Sequence, residues 1–62
     1  ALTDKQEMFC REYLIDLNAT QAAIRAGYSA KTANRTASEN LSKPDIKLRI
    51  AELKAQDRKS VV

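Results

Sequence analysis

A chain of 62 residues with 44% hydrophobic content forms one small domain at most, which excludes a multidomain enzyme. Eleven basic and eight acidic residues give a formal net charge of +3, a weak indication of an anionic partner. The single glycine and single proline leave little of the turn chemistry that β-hairpins need, and alanine, leucine and long polar residues favour helices. We therefore predict an all-α fold, a compact bundle of three or four helices.

The first predicted helix runs from Asp4 to about Asp16. Thr3, followed three residues later by Gln6, is the pattern of a capping box, in which each side chain accepts a hydrogen bond from the other residue's backbone N–H. Apolar residues at helical spacing then predict one buried stripe. This stripe consists of Phe9, Cys10, Tyr13, Leu14 and Leu17.

The second predicted helix covers the alanine-rich residues 19–26. Asn18 followed by Gln21 repeats the capping pattern. Alanine side chains are short, so this helix can approach a neighbour closely. Gly27 tolerates the left-handed conformation that ends a helix, and we expect the helix to stop there.

The third predicted helix runs from Ala30 to about Leu41, with Ser29 as its cap. A turn of about three residues would separate it from the second helix, which is the spacing of a helix-turn-helix. The predicted inward face consists of Ala30, Ala33, Ala37 and Leu41. The remaining residues of this helix are polar, so its outer face is rich in hydrogen-bonding groups.

The fourth predicted helix begins at Pro44, because proline is tolerated in a first helical turn and disfavours helix at the residue before it. Ser42 or Lys43 would be its cap. Its apolar stripe consists of Ile46, Ile50 and Leu53. Residues 54–62 are predicted to start a linker or a helix extension. Since the sequence begins at Ala1 and not at methionine, we expect residues 1–62 to be one domain of a longer chain.

The composition gives little support for the common kinds of catalytic or metal site. There is no histidine and only one cysteine, so neither a zinc site nor an intrachain disulfide is expected. The carboxylates of the first helix are spread out and not paired, and one glycine cannot make a glycine-rich nucleotide loop. We predict a protein that is not an enzyme and has no cofactor. No apolar run approaches the ~20 residues of a membrane span, so no membrane contact is expected.

Basic charge is concentrated in the middle of the chain, where residues 18–43 carry four basic side chains and one acidic one. In a helix-turn-helix the second helix of the pair enters the DNA major groove. Arg35 has the geometry to pair with guanine, Asn34 with adenine, and Lys31 with a phosphate. The candidate DNA-binding residues are Arg25, Tyr28, Ser29, Lys31, Thr32, Asn34, Arg35, Ser38 and Lys43. For Tyr28 the alternative is packing on the turn, and for Arg25 and Lys43 it is simple solvation.

One extended pattern resembles a known family. Residues 18–29 read NATQAAIRAGYS, and they follow Lys5-Gln6 and the segment from Phe9 to Tyr13. Downstream, residues 39–44 read ENLSKP. Over residues 2–53 the chain resembles the small subunit of bacteriophage terminases.

The resemblance implies a helix-turn-helix DNA-binding domain that lies at the N-terminus of its family's chains. In that family an oligomerisation segment that forms homo-oligomeric rings follows, and then a tail that engages the large ATPase-nuclease subunit; both would lie outside residues 1–62. The implied partner of the domain is double-stranded DNA at the phage packaging start site, and the implied location is the cytoplasm of the bacterial host. The DNA could be read through base contacts or through its shape.

Two other functions fit the same residues. A transcriptional regulator or recombination accessory would use the same helix pair, and ring assembly would argue for packaging instead. A helical protein-interaction module would dock its polar third helix on an acidic partner, and salt-sensitive binding to duplex DNA would argue against it.

Overall fold

The computed structural model of this chain describes the backbone of residues 2–61 and the side chains of residues 2–56. These residues form four helices: α1 (Asp4–Asp16), α2 (Ala19–Arg25), α3 (Ala33–Ser42) and α4 (Pro44–Val61). The described part of the chain has no β-strand. The predicted all-α class, the bounds of the first helix and the start of the fourth are confirmed.

The four helices share one small core, in which α1 packs against α2 and α4, and α3 packs against the same two helices. The buried apolar residues are Phe9, Cys10, Ala22, Ala23, Ala33, Ala37, Ile46 and Ile50. Half of these eight are alanines, so α2 and α3 approach through short side chains. Because α2 and α4 both support α3, the opposite face of α3 is left to solvent.

The start of α1 is capped as predicted. The Gln6 N–H donates to Thr3 Oγ1 at 3.2 Å, and the Thr3 N–H donates to Gln6 Oε1 at 3.0 Å. At the start of α2 the Gln21 N–H donates to Asn18 Oδ1 at 3.1 Å. Each bond satisfies a backbone donor that has no partner within the helix itself.

Leu17 was predicted to join the core of α1, and that prediction is wrong. Its side chain is 60% exposed, because Leu17 is the residue that turns the chain from α1 into α2. It adopts the left-handed conformation with φ 56°, and its N–H donates to the Tyr13 carbonyl at 2.7 Å. Leaving α1 in this way takes the side chain off the apolar stripe.

A Schellman motif ends α2. The Gly27 N–H donates to the Ile24 carbonyl at 3.1 Å, and the Tyr28 N–H donates to the Ala23 carbonyl at 3.0 Å. Gly27 has φ 106°, which confirms the left-handed conformation expected there and explains why this position needs glycine. The motif leaves Tyr28 half-buried against the core.

The predicted start of the third helix is wrong. The Thr32 N–H donates to the Ser29 carbonyl at 3.1 Å, so Ser29 closes a turn through its backbone and does not cap a helix with its side chain. Helix α3 begins at Ala33, and seven residues, 26–32, connect it to α2. Ala30 is therefore exposed and not inward. The connection is longer because the Schellman motif uses Gly27 and Tyr28, and a second turn must follow before the chain can re-enter a helix.

The buried face of α3 also contains a residue that the apolar pattern could not indicate. Ala33 and Ala37 are buried as predicted and Leu41 is half-buried, but Asn40 is only 3% exposed. Its Nδ2 has no hydrogen-bond partner among the described residues. Burying such an amide usually costs about 1–3 kcal/mol, and the small apolar area of the core has to offset that cost.

A bidentate ion pair connects α1 to α4. Arg49 donates from Nε to Glu7 Oε1 and from Nη2 to Glu7 Oε2, both at 2.8 Å. The Arg11 Nε, one turn along α1, also donates to Glu7 Oε2, at 3.0 Å. The hydrogen bonds from Arg49, and next those from Arg11, lower the pKa of the Glu7 carboxyl from its ordinary 4.5 to about 2.

This pKa shift predicts acid sensitivity of the fold. A carboxyl whose pKa is lower in the folded state stabilises the fold above its unfolded pKa, and that stabilisation disappears as the pH falls from about 4.5 towards 2. We expect the melting temperature to fall through this window, and to fall less in Glu7→Gln. Thermal melts at pH 7 and pH 2.5 measure the difference. Glu39→Gln, which removes an exposed carboxylate from α3, is the control, and an equal effect in both variants would contradict the assignment.

Candidate nucleic-acid interface

The outer face of α3 presents three of the predicted DNA-binding side chains together. Asn34, Arg35 and Ser38 are all exposed and lie within one turn of the helix, on the side opposite the buried Ala33 and Ala37. One arginine and one asparagine, both with base-pairing geometry, thus stand next to each other. A helix of this kind can lie in a groove without disturbing the core.

The residues just before α3 extend this face. Lys31 and Thr32 are exposed, and Thr32 is the N-cap of the helix although its side chain makes no capping hydrogen bond. Instead the Thr32 hydroxyl donates to the Ser29 carbonyl at 3.4 Å. Ser29 is exposed in the same turn, so the structure brings six of the predicted residues to one end of α3 and the turn before it: Ser29, Lys31, Thr32, Asn34, Arg35 and Ser38.

The cations of this face have no salt-bridge partner among residues 2–56. Among residues 2–56, no carboxylate lies within 4.0 Å of the Lys31 ammonium or of the Arg35 guanidinium. Glu39, one turn beyond Arg35, is the acidic residue exposed on α3. Both cations are therefore available to an anionic ligand.

Comparison with known protein families identifies the family to which this chain belongs. The model of the family described as "Terminase small subunit" matches residues 2–61. This chain belongs to the terminase small subunit family. The resemblance seen in residues 2–53 is thereby confirmed.

Individual terminase small subunits are similar over nearly all of this chain. The protein of Bacillus phage SF6 is 51% identical over 63 residues, which cover 98% of this chain and 43% of the relative. That of Bacillus phage SPP1 is 50% identical over 62 residues, covering 97% and 42%. The PBSX phage terminase small subunit of Bacillus subtilis (strain 168) is 38% identical over 55 residues, covering 89% and 21%. The chain thus spans less than half the length of these relatives.

Three predicted residues are placed differently from the others in this terminase domain. Arg25 lies against α1, with its Nη1 3.3 Å from Asp16 Oδ2 and 3.9 Å from Glu12 Oε1. Such partly exposed pairs contribute about 0–1 kcal/mol, but they direct the guanidinium towards α1. Tyr28 packs on the turn, which is the alternative considered for it. Lys43 lies beyond the C-terminal end of α3. Because α3 has ten residues, that end is about 15 Å from the N-terminal end.

The sequence prediction left out one cation next to this face, Lys5 on α1. Its Nζ lies 5.6 Å from the centroid of the Tyr28 ring, which places it over the turn that leads into α3. No local pattern could have indicated this contact, because Lys5 and Tyr28 are 23 positions apart in the sequence.

The described residues of this chain do not form a metal site, a reactive thiol or a membrane-spanning helix. Within residues 2–56, no group of three or more His, Cys, Asp or Glu side chains could hold a metal ion. Cys10 is buried, and burial raises the pKa of its thiol, which makes it a poor nucleophile. None of the described helices is both long enough and apolar enough to cross a membrane.

Proposed function

We propose that this chain is the non-catalytic DNA-recognition domain of a phage terminase small subunit, which binds the packaging start site of the phage genome for the large ATPase-nuclease subunit. The observation that carries the proposal is the outer face of α3, where Asn34, Arg35 and Ser38 are exposed close to the exposed Lys31. Membership of the terminase small subunit family supports it independently.

In the proposed mode of binding, α3 enters the major groove and α2 lies behind it. A helix fits this groove, which is about 12 Å wide, and presents the residues of its N-terminal half to the base edges. Arg35 then pairs with guanine and Asn34 with adenine, while Lys31 and the hydroxyls of Ser29 and Thr32 contact phosphates. The alanine contacts between α2 and α3 keep the reading helix at a defined angle.

A single copy of such a domain binds weakly, because only a few cations face the DNA. Non-specific affinities of this kind lie around 10⁻⁴ to 10⁻⁶ M. We propose that a homo-oligomeric ring, formed by regions outside residues 1–62, presents several copies at once and so raises the overall affinity. In this proposal the C-terminal part of α4 leads towards that oligomerisation region, and contact with the large subunit also lies outside residues 1–62.

Two substitutions on the proposed face separate base reading from phosphate contact. We expect Arg35→Ala to cost roughly 1–3 kcal/mol of binding free energy on duplex DNA from the packaging region, and much less on scrambled duplex. Lys31→Ala should weaken binding to both duplexes alike, because an ammonium is a point charge without base-pairing geometry. Fluorescence anisotropy titrations of the variants with both duplexes measure the contrast. Lys54→Ala, which removes an exposed cation from α4, is the control.

The same titrations discriminate between the competing functions. Equal losses for Arg35→Ala and Lys31→Ala on both duplexes would mean that Arg35 touches only phosphate and that specificity comes from DNA shape or from other parts of the protein. Affinity that does not change between low and physiological salt would contradict DNA binding through this face and favour a protein-interaction module. A transcriptional regulator would show sequence preference for a site outside the packaging region.

A further inference from the structure

The Lys5 side chain lies across the turn that follows α2. Its Cε lies 3.6 Å from the point where a β-carbon on Gly27 would stand, and its Nζ lies 5.6 Å from the centroid of the Tyr28 ring. The lysine stem therefore passes over Gly27, and the ammonium group stands over the aromatic face. Lys5 as a whole is exposed, so the charge stays in contact with solvent.

The backbone and the ring of Tyr28 both make contacts within the fold, so the position of the ring under Lys5 is fixed. Its N–H closes the Schellman motif with Ala23, and its ring packs against the core. An ammonium over an aromatic ring is attracted by the negative face of the π-system. Gly27 leaves room for the lysine stem, so the two turn residues together direct the Lys5 side chain.

The charge of Lys5 has no carboxylate partner within residues 2–56 at salt-bridge distance. Glu7, the acidic residue two positions along α1, is held by Arg49 and Arg11. Asp4, the residue before Lys5, is exposed. The ammonium is thus available, and it lies over the turn that carries Ser29 and leads to α3.

We propose that Lys5 is a DNA-binding residue that contacts a backbone phosphate beside the groove entered by α3, with Tyr28 as its positioning residue. The inference rests on the proposed function and extends its surface from α3 across the turn to α1. When one helix reads base edges, side chains on the neighbouring elements contact the phosphates and set the orientation of the domain on the duplex. Lys5 supplies such a contact from α1, across the turn that precedes α3.

The test is the salt dependence of binding in Lys5→Gln. Each phosphate contact adds about 0.9 to the slope of log K against log salt, so the variant should have a slope smaller by about 0.9 and an affinity about five- to tenfold lower at about 0.1 M salt. The loss should be the same on packaging-region and scrambled duplexes. Lys5→Arg keeps the charge and should retain the slope, and Lys54→Gln is the matched control because it removes an identical charge from the part of α4 that faces the opposite end of α1.

Two variants test the positioning role of Tyr28. Tyr28→Phe keeps the ring and should bind with unchanged affinity, which also excludes a contact through the hydroxyl. Tyr28→Leu removes the aromatic face, so it should weaken binding, and adding Lys5→Gln to it should then have a smaller effect than in the parent chain. Thermal melts of all variants report whether the fold is preserved, and comparisons are made among variants that remain folded.

The outcomes separate this inference from the proposed function. Unchanged affinity and slope in Lys5→Gln, together with losses in Arg35→Ala and Lys31→Ala, would overturn the role of Lys5 and leave the proposed function standing. Failure of Lys5→Arg to retain the slope would overturn the phosphate contact. If the parent chain binds no duplex, both the inference and the proposed function are overturned.

Discussion

We expect Phe9→Ala to abolish stable folding of the domain at room temperature. Phe9 is fully buried and stacks on Tyr13 with the ring centroids 6.2 Å apart. Replacing a buried phenylalanine with alanine costs about 3–5 kcal/mol, and a single core of this size rarely supplies more than about 3–5 kcal/mol in total. Loss of the helical circular dichroism signal and of a cooperative thermal transition measures the effect.

Ile15→Ala is the control for this experiment, since Ile15 lies on the same helix but is 70% exposed. Substitutions at such positions usually change the stability by less than about 0.5 kcal/mol, so this variant should melt like the parent chain. A Phe9→Ala variant that stays folded with an unchanged melting temperature would show that the core is assigned wrongly. The placement of α3 on that core, and with it the proposed DNA face, would then lose its support.

We expect Ile46→Ala to have the second-largest effect, about 2–5 kcal/mol of the free energy of unfolding. Ile46 is fully buried, and α4 packs on both α1 and α3. The backbone at Ile46 is also in contact with α1, because its carbonyl accepts a hydrogen bond from the Cys10 Sγ at 3.9 Å. A cavity at this point weakens the packing of α4 against the rest of the core, and urea unfolding followed by circular dichroism measures the loss.

The matched control on α4 is Leu48→Ala, because Leu48 is 65% exposed and alanine has at least the same helix propensity. This variant should be as stable as the parent. If α4 frayed independently of the other helices, Ile46→Ala would lower the denaturant slope m while leaving the unfolding midpoint of the remaining helices unchanged. That result would contradict the single cooperative core.

An ion pair joins two helices of this small fold, in addition to the apolar core. The Arg49–Glu7 pair connects α1 and α4 with two hydrogen bonds of fixed geometry. Protonation of Glu7 should therefore weaken the contact between α1 and α4.

The helix class and the starts of α1, α2 and α4 were predictable from the sequence because their causes are local. The capping box at Thr3 and Gln6, the Asn18 cap and the left-handed Gly27 each depend on residues within a few positions of one another. The core positions of α4 followed from a spacing of three and four residues, which brings side chains to one face of any α-helix. The polar outer face of α3 was predictable for the same reason.

The start of α3 was mispredicted because two local signals competed. Ser29 has the side chain of a good cap, but the preceding Schellman motif already sets the direction of the chain through Tyr28. Whether a serine caps a helix or closes a turn depends on where the next helix must lie against the core. That requirement comes from the packing of α3 on α2 and α4, and no local pattern contains it.

By itself the sequence determined the helical class, most of the caps, most of the apolar stripes and the family, because propensity, capping and periodicity act over one or two helical turns. Only the tertiary structure decided which charges meet. Glu7 pairs with Arg49 across 42 positions, Arg25 turns to Asp16, and Lys5 stands over Tyr28. Contacts of this kind depend on the angles at which whole helices pack. The sequence can indicate which face of a helix is polar or apolar, but only the packed core fixes the angles and so decides what each face contacts.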